Sequence, residues 1–146
     1  VKHSEYLSGV LEDRRTHQAC VQGILRQLQR MDGQFEAIAC TGVSGLLIAP
    51  TIAYLMNKRL AVVRKENDQP GQNVNHASVQ IEHNLRSGDR VVIIDDLIAS
   101  GRTIRRVQDA LKGLNDPDGT FTYNPIDVSV VAWYVYRDHS LTRGEW

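Results

Sequence analysis

The stretch Val91-Val92-Ile93-Ile94-Asp95-Asp96-Leu97-Ile98-Ala99-Ser100-Gly101-Arg102-Thr103 limits what this chain can fold into more than any other. Four β-branched residues in a row, with no polar alternation, read as a strand buried on both faces, the pattern of a central parallel sheet. Two carboxylates, a small-residue turn and a helix start follow at once. That places the turn at the carboxyl end of a parallel strand, where open α/β sheets bind ligands. Small side chains let backbone amides approach an anion, and a helix starting near Thr103 adds unpaired N–H groups at its positive end. Neighbouring residues of an extended strand point to opposite faces, so Asp95 and Asp96 reach one ligand only if the chain turns there.

The rest of the chain supports an α/β reading. Apolar residues recur at three- and four-residue steps between Glu5 and Arg30, around a polar middle at Arg14 to His17, which predicts one amphipathic helix or two. Strands are expected at 37–40, 60–63, 90–94 and 128–136, an edge strand at 79–81, and helices at 46–56 and 103–114. Alternating strands and helices imply a mainly parallel central sheet flanked by helices on both faces. The polar segment 64–77, with Pro70 and Gly71, reads as a functional loop. At 146 residues and 42% hydrophobic composition, the chain is expected to form a single domain, 1–146, with a real core.

Seventeen basic and seventeen acidic residues cancel, so no global field favours nucleic acid or an anionic membrane, and phosphate binding must be local. Cys20 and Cys40 are too few for a disulfide framework or a zinc site and suit a reducing cytoplasm as two small core residues. No apolar run approaches a membrane span, which leads to the expectation of a soluble, cytoplasmic protein.

The order strand, acidic pair, two apolar residues, small residue, Ser, Gly, one variable residue and Thr resembles the phosphoribosyl-pyrophosphate (PRPP) motif of type I phosphoribosyltransferases. An acidic pair at fixed spacing before the loop makes the match more specific than a lone glycine turn. The resemblance implies that Ala99, Ser100, Gly101, Arg102 and Thr103 hold the sugar 5'-phosphate and that Asp95 and Asp96 lie near the ribose hydroxyls. Taken by themselves, Arg102, Arg105 and Arg106 in the first helical turn read as a solvated face, with a subunit contact or a nucleic acid as the alternative for Arg105 and Arg106.

Two further segments agree with it. The run Thr41-Gly42-Val43-Ser44-Gly45, followed by Leu46 to Ala53, is similar to the pyrophosphate loop and following segment of adenine phosphoribosyltransferases. Those enzymes usually carry an acidic residue where Gly42 stands and Arg where Ser44 stands, so the backbone amides of Thr41, Gly42, Val43 and Ser44 must do more. Val63-Arg64-Lys65 with Pro70-Gly71 resembles the start of the flexible catalytic loop of adenine and orotate enzymes, with Asp68 where a Lys is common. Arg64 and Lys65 would then meet a departing pyrophosphate. The family's usual base-pocket patterns have no counterpart, so a small or divergent hood is expected.

The resemblance implies transfer of a phosphoribosyl group from PRPP to a nucleobase, a purine being favoured over orotate or another pyrimidine, giving a nucleoside monophosphate and pyrophosphate. The alternative is a regulatory module that senses PRPP or a nucleotide without turnover. Mg²⁺ is expected, held mainly by substrate phosphates and water with Asp95 or Asp96 contributing. A homodimer is expected from the habit of the family. Trp133, Tyr134 and Tyr136 read as core and cross-strand packing rather than a base-stacking platform, and His76 and His83 as surface imidazoles.

Overall fold

The structure is a computed structural model that describes residues 13–65, 81–96, 101–115 and 125–144. The first helix, α1 (Arg14–Gln29), starts where the polar stretch had looked like an interruption. Asp13 explains this. Its carboxylate accepts hydrogen bonds from the backbone N–H groups of Arg15 and Thr16 at 2.7 and 2.9 Å, and the Thr16 hydroxyl accepts from Asp13 N at 3.1 Å. A reciprocal cap of this kind satisfies orphan first-turn donors, so the polar residues are the helix's opening turns. The expected apolar helix before it lies outside the described residues.

Strand β1 (Ala37–Thr41) is buried throughout and leads into the short helix α2 (Gly42–Leu46), where sequence alone predicted only a turn. The expected helix 46–56 is broken: α3 (Ala49–Leu55) starts afresh with Pro50 in its first turn. Proline lacks the N–H that a continuous helix needs but fits a first turn, where that donor is unused. Then come β2 (Arg59–Val63), β3 (Ile81–His83), β4 (Arg90–Asp95), α4 (Arg102–Gly113), β5 (Ser129–Val135) and β6 (Ser140–Arg143). The last strand was not foreseen. Residues 137–144 lack apolar alternation, and the hairpin turns at His139, a non-glycine residue with φ 53°. Tertiary contact holds that hairpin: the His139 ring lies against Gly23 of α1, and its Nδ1 is 2.5 Å from the Tyr134 hydroxyl.

Among the described residues, six strands form one sheet in the order β3-β2-β1-β4-β5-β6. The four central strands are parallel, and the two edge strands pair antiparallel. The expectation of a mainly parallel sheet flanked by helices is met. Alternation along the strands sorts the core into two layers. Ile38, Cys40, Val92, Ile94, Ala132 and Tyr134 face α1 and α3, while Ala37, Ala39, Val91, Ile93 and Val130 face α4 through Ile104, Val107 and Leu111. Each such aliphatic side chain contributes about 1.5–3 kcal/mol on burial, as an upper estimate.

At the amino ends of these strands the charges are paired. Arg59 Nε donates to Asp89 Oδ2 at 2.7 Å, and a second Arg59 nitrogen meets Oδ1. Arg86 N also donates to Asp89 Oδ2, at 2.8 Å. Arg90 donates from its backbone and guanidinium to Glu36, at 2.7 Å from the backbone N–H. These pairs hold β1, β2 and β4 in register at one end and leave the other end to the ligand.

Candidate active site

The parallel strands β1, β2 and β4 end at Thr41, Val63 and Asp95, so the three segments singled out from sequence meet at one rim of the sheet. The Thr41 hydroxyl donates to Val63 O at 2.6 Å and ties the ends of β1 and β2 together. Its hydroxyl is therefore a structural tie. The turn that follows exposes backbone: Gly42 has φ 69°, a left-handed conformation that favours glycine, and α2 has no side-chain cap on its first-turn amides.

Lys65 lies over that turn. A Cβ built on Gly42 would stand 2.5 Å from Lys65 Cε and 2.7 Å from Nζ, so the ammonium group sits directly against the bare Cα. Lys65 is also near enough to Asp95 to lower its proton affinity. Arg64 points elsewhere. Its guanidinium pairs with Glu82 of β3, at the sheet edge and on the surface.

The two carboxylates do come together. Asp95 is the last residue of β4, Asp96 is in a bend, and Asp96 N donates to Asp95 Oδ1 at 2.9 Å. Folding the side chain back onto the next amide is how an aspartate stabilises a turn, so the turn that the pair required is present. Asp95 Oδ2 is buried and, among the described residues, accepts no hydrogen bond. The Asp95 carboxyl is pushed up to about 7, first by burial and then by the neighbouring carboxyl and charge of Asp96. The Asp96 amide and Lys65 act in the opposite direction without overcoming this. Two carboxylates side by side cannot both ionise at the usual cost. Below the pair lies Cys40, whose thiol is pushed up to about 12 by burial and by the charge of Asp95. Both cysteines are free and buried, as small core residues.

Gly101 has φ 72° and stands as the residue before α4. Arg102 and Thr103 begin that helix, while Ala99 and Ser100 lie outside the described residues. Arg105 is exposed, as the solvated-face reading expects, and its guanidinium also lies 3.7 Å from a Cβ built on Gly101. Spacing offered a usable sign: four residues along a helix return a side chain to the same face. Tyr136 was read only as packing. It is buried, and its hydroxyl donates to Ser44 O at 2.9 Å, a contact across 92 positions of sequence. Tyr134 and Tyr136 are core residues, as expected, and His83 accepts a hydrogen bond from Leu85 N at 3.1 Å. Among the described residues, no group of three or more His, Cys, Asp or Glu side chains is arranged to hold a metal ion, and no helix is long and apolar enough to cross a membrane.

The chain is an α/β protein whose parallel sheet joins, at its carboxyl rim, a carboxylate pair, a lysine-covered glycine turn and a glycine-led helix start. The profile of the phosphoribosyl transferase domain matches residues 11–115, and the chain belongs to that family. It is similar to adenine phosphoribosyltransferase of Mycoplasma capricolum, 33% identical over 87 residues that make up 53% of this chain and 51% of that protein. It is also similar to the enzyme of that name from Desulforamulus reducens, 28% identical over 108 residues, 67% of this chain and 61% of the relative. The chain spans about half the length of the curated relatives it matches first. Its fold is that of adenine phosphoribosyltransferase from Saccharomyces cerevisiae (TM-score 0.62, 18% identity, covering 86% of this chain and 70% of that one). It is equally that of Leishmania donovani UMP synthase (TM-score 0.60, 23% identity, 86% and 23%).

Proposed function

We propose that this protein transfers the phosphoribosyl group of PRPP to a ring nitrogen of a nucleobase, a purine in preference to orotate. The N–C1' bond forms as the bond from C1' to the pyrophosphate oxygen breaks, pyrophosphate leaves with the electron pair, and the acceptor nitrogen loses its proton. The observation that carries the reading is the placement of Lys65 over Gly42 beside the Asp95–Asp96 pair: a cation and bare amides for a polyanion, next to carboxylates for a sugar that turns cationic. The purine preference rests on the adenine phosphoribosyltransferase relatives.

In this reading Asp95 and Asp96 hold the ribose hydroxyls and offset positive charge at the anomeric carbon. Ala99 to Thr103 take the 5'-phosphate, the Thr41 to Ser44 backbone takes the pyrophosphate, and Lys65 neutralises it as it leaves. Arg64 joins them only by giving up Glu82, an exposed pair worth ~0–1 kcal/mol, so its release costs little. The donor set suits Mg²⁺, because Asp95 Oδ2 is a buried oxygen without a partner among the described residues and Asp96 stands beside it. With most ligands coming from substrate phosphates and water, Asp95 and Asp96 would hold the ion, which would supply positive charge against the pyrophosphate. Exposed Val43, Leu46, Tyr54 and Leu55 support a homodimer, and the free cysteines a cytoplasmic setting.

The missing charges at Gly42 and Ser44, with Arg64 engaged by Glu82, favour a PRPP sensor as the second reading. Pyrophosphate release from PRPP and Mg²⁺, followed with adenine, hypoxanthine, guanine and orotate, separates the two. We expect turnover with a purine, falling by about 10²-fold or more in Asp96→Asn, as for loss of a group aimed at transition-state charge. PRPP binding without turnover across the panel would establish the sensor, and no binding at all would sink both readings.

A further inference from the structure

Tyr136 stands one residue beyond β5, 2% exposed, in the core layer that also holds Cys40 and Ile48. Its backbone N–H donates to Asp95 O at 3.0 Å, which sets it level with the end of β4. Strands β1 and β5 both neighbour β4 and not each other. A side chain that leaves β5 and reaches Ser44 O at 2.9 Å therefore crosses the end of β4, next to Asp95 and Asp96. Burial, and then the charges of Asp96, Cys20 and Asp95, push the phenol upward, so the hydroxyl keeps its proton and acts as a donor.

The turn it reaches has unusual needs. Neither Gly42 nor Ser44 brings a charge, and no side chain caps α2, so beside Lys65 the turn itself offers an anion chiefly its backbone amides. Amides serve an anion only if their direction is fixed before it arrives. We infer that Tyr136 is the positioning residue of the pyrophosphate turn: its hydroxyl fixes the Ser44–Gly45 peptide, and with it the direction of the amides of residues 42–44. This deepens the PRPP reading and rests on it for the identity of the anion. The phenol makes no contact with reacting atoms; it acts through the turn, and through its amide it also joins that turn to the carboxylate pair.

Tyr136→Phe tests the inference, since it keeps the ring and its burial and removes only the donor. In the unliganded protein, the hydrogen-bonded amides of Leu47 and Ile48, which close the turn onto Val43 O and Gly45 O, should exchange with solvent about tenfold faster while those of β1 and β4 stay within about twofold. In turnover with PRPP and Mg²⁺, KM for PRPP should rise about tenfold with kcat within about threefold. Exchange that quickens evenly through β1, β4 and β5 would mark a general core peg and overturn the proposal. So would unchanged exchange at Leu47 and Ile48, or faster exchange there with KM for PRPP unmoved. If the wild-type protein neither binds nor turns over PRPP, the activity reading fails by itself, and the exchange result alone decides whether Tyr136 sets the turn.

Discussion

Two aspartates at opposite ends of β4 are almost equally buried, Asp89 at 3% exposure and Asp95 at 5%, and their proton affinities move in opposite directions. Burial pulls both upward. At the amino end the hydrogen bonds from Arg59, the Arg86 amide and the charges of both arginines outweigh it, and Asp89 is held below the usual carboxylate range. At the carboxyl end the chief neighbour is another carboxylate, and Asp95 rises to about 7. Burial alone therefore does not set a carboxyl's state; the partner does. One end of the sheet uses its charges to hold strands together, and the other keeps them under-satisfied where a ligand would complete them.

The contrast can be broken most strongly at Asp89. Asp89→Asn leaves Arg59 without its counter-charge, and the fold should lose about 3 kcal/mol, the low end for breaking a buried pair because the Arg59 side chain is 30% exposed. Denaturant unfolding at pH 7 checks it, and a loss under about 1 kcal/mol would mean the amino-end network is ornamental.

Asp95→Asn should act with the opposite sign. The folded chain keeps this proton up to about pH 7, whereas the unfolded chain releases it near 3.8, so between those values the folded state binds more protons. The contribution of Asp95 to stability thus falls as pH rises from about 4 to about 7 and is flat above. Removing the ionisation should stabilise the fold at pH 8 by on the order of 2 kcal/mol and flatten the pH dependence in that window, even as turnover is lost. A variant less stable than wild type at pH 8 would show that Asp95 is not a strained carboxylate. Asp89 behaves conversely, its contribution being lost only as pH falls below the ordinary aspartate range.

The smallest effect belongs to the surface. Glu82→Gln removes the Arg64 partner on β3, where both side chains are about half exposed, 42% and 57%. Stability should stay within ~0.5 kcal/mol at moderate salt. A larger loss, seen in thermal melts, would mean that the sheet edge and not the amino end carries the registering charge.

Much of this was legible in the chain. An unbroken β-branched run identified β4, a short apolar run identified β1, and glycine between a strand and a helix marked both turns at the rim. What sequence could not supply was everything that depends on contact at long separation. The hairpin ending in β6 is held by His139 against α1, which no local pattern records. Pro50 was seen, but the break it causes before α3 depends on the short α2 packing close to β1. Arg64 and Lys65 are adjacent and chemically alike, yet one turns to Glu82 and the other to Gly42.

By itself, the sequence determined the strand-to-turn chemistry: which residues end the parallel strands, and that a carboxylate pair runs into a phosphate-sized turn. Short-range sterics and period decide such things within a dozen residues. Only the tertiary structure decided which end of the sheet is satisfied and which is poised. Proton affinity depends on what stands within a few ångströms, and at Asp95 that includes Lys65, 30 positions away, while the Tyr136 hydroxyl comes from just beyond β5, a position that the sequence reads as packing.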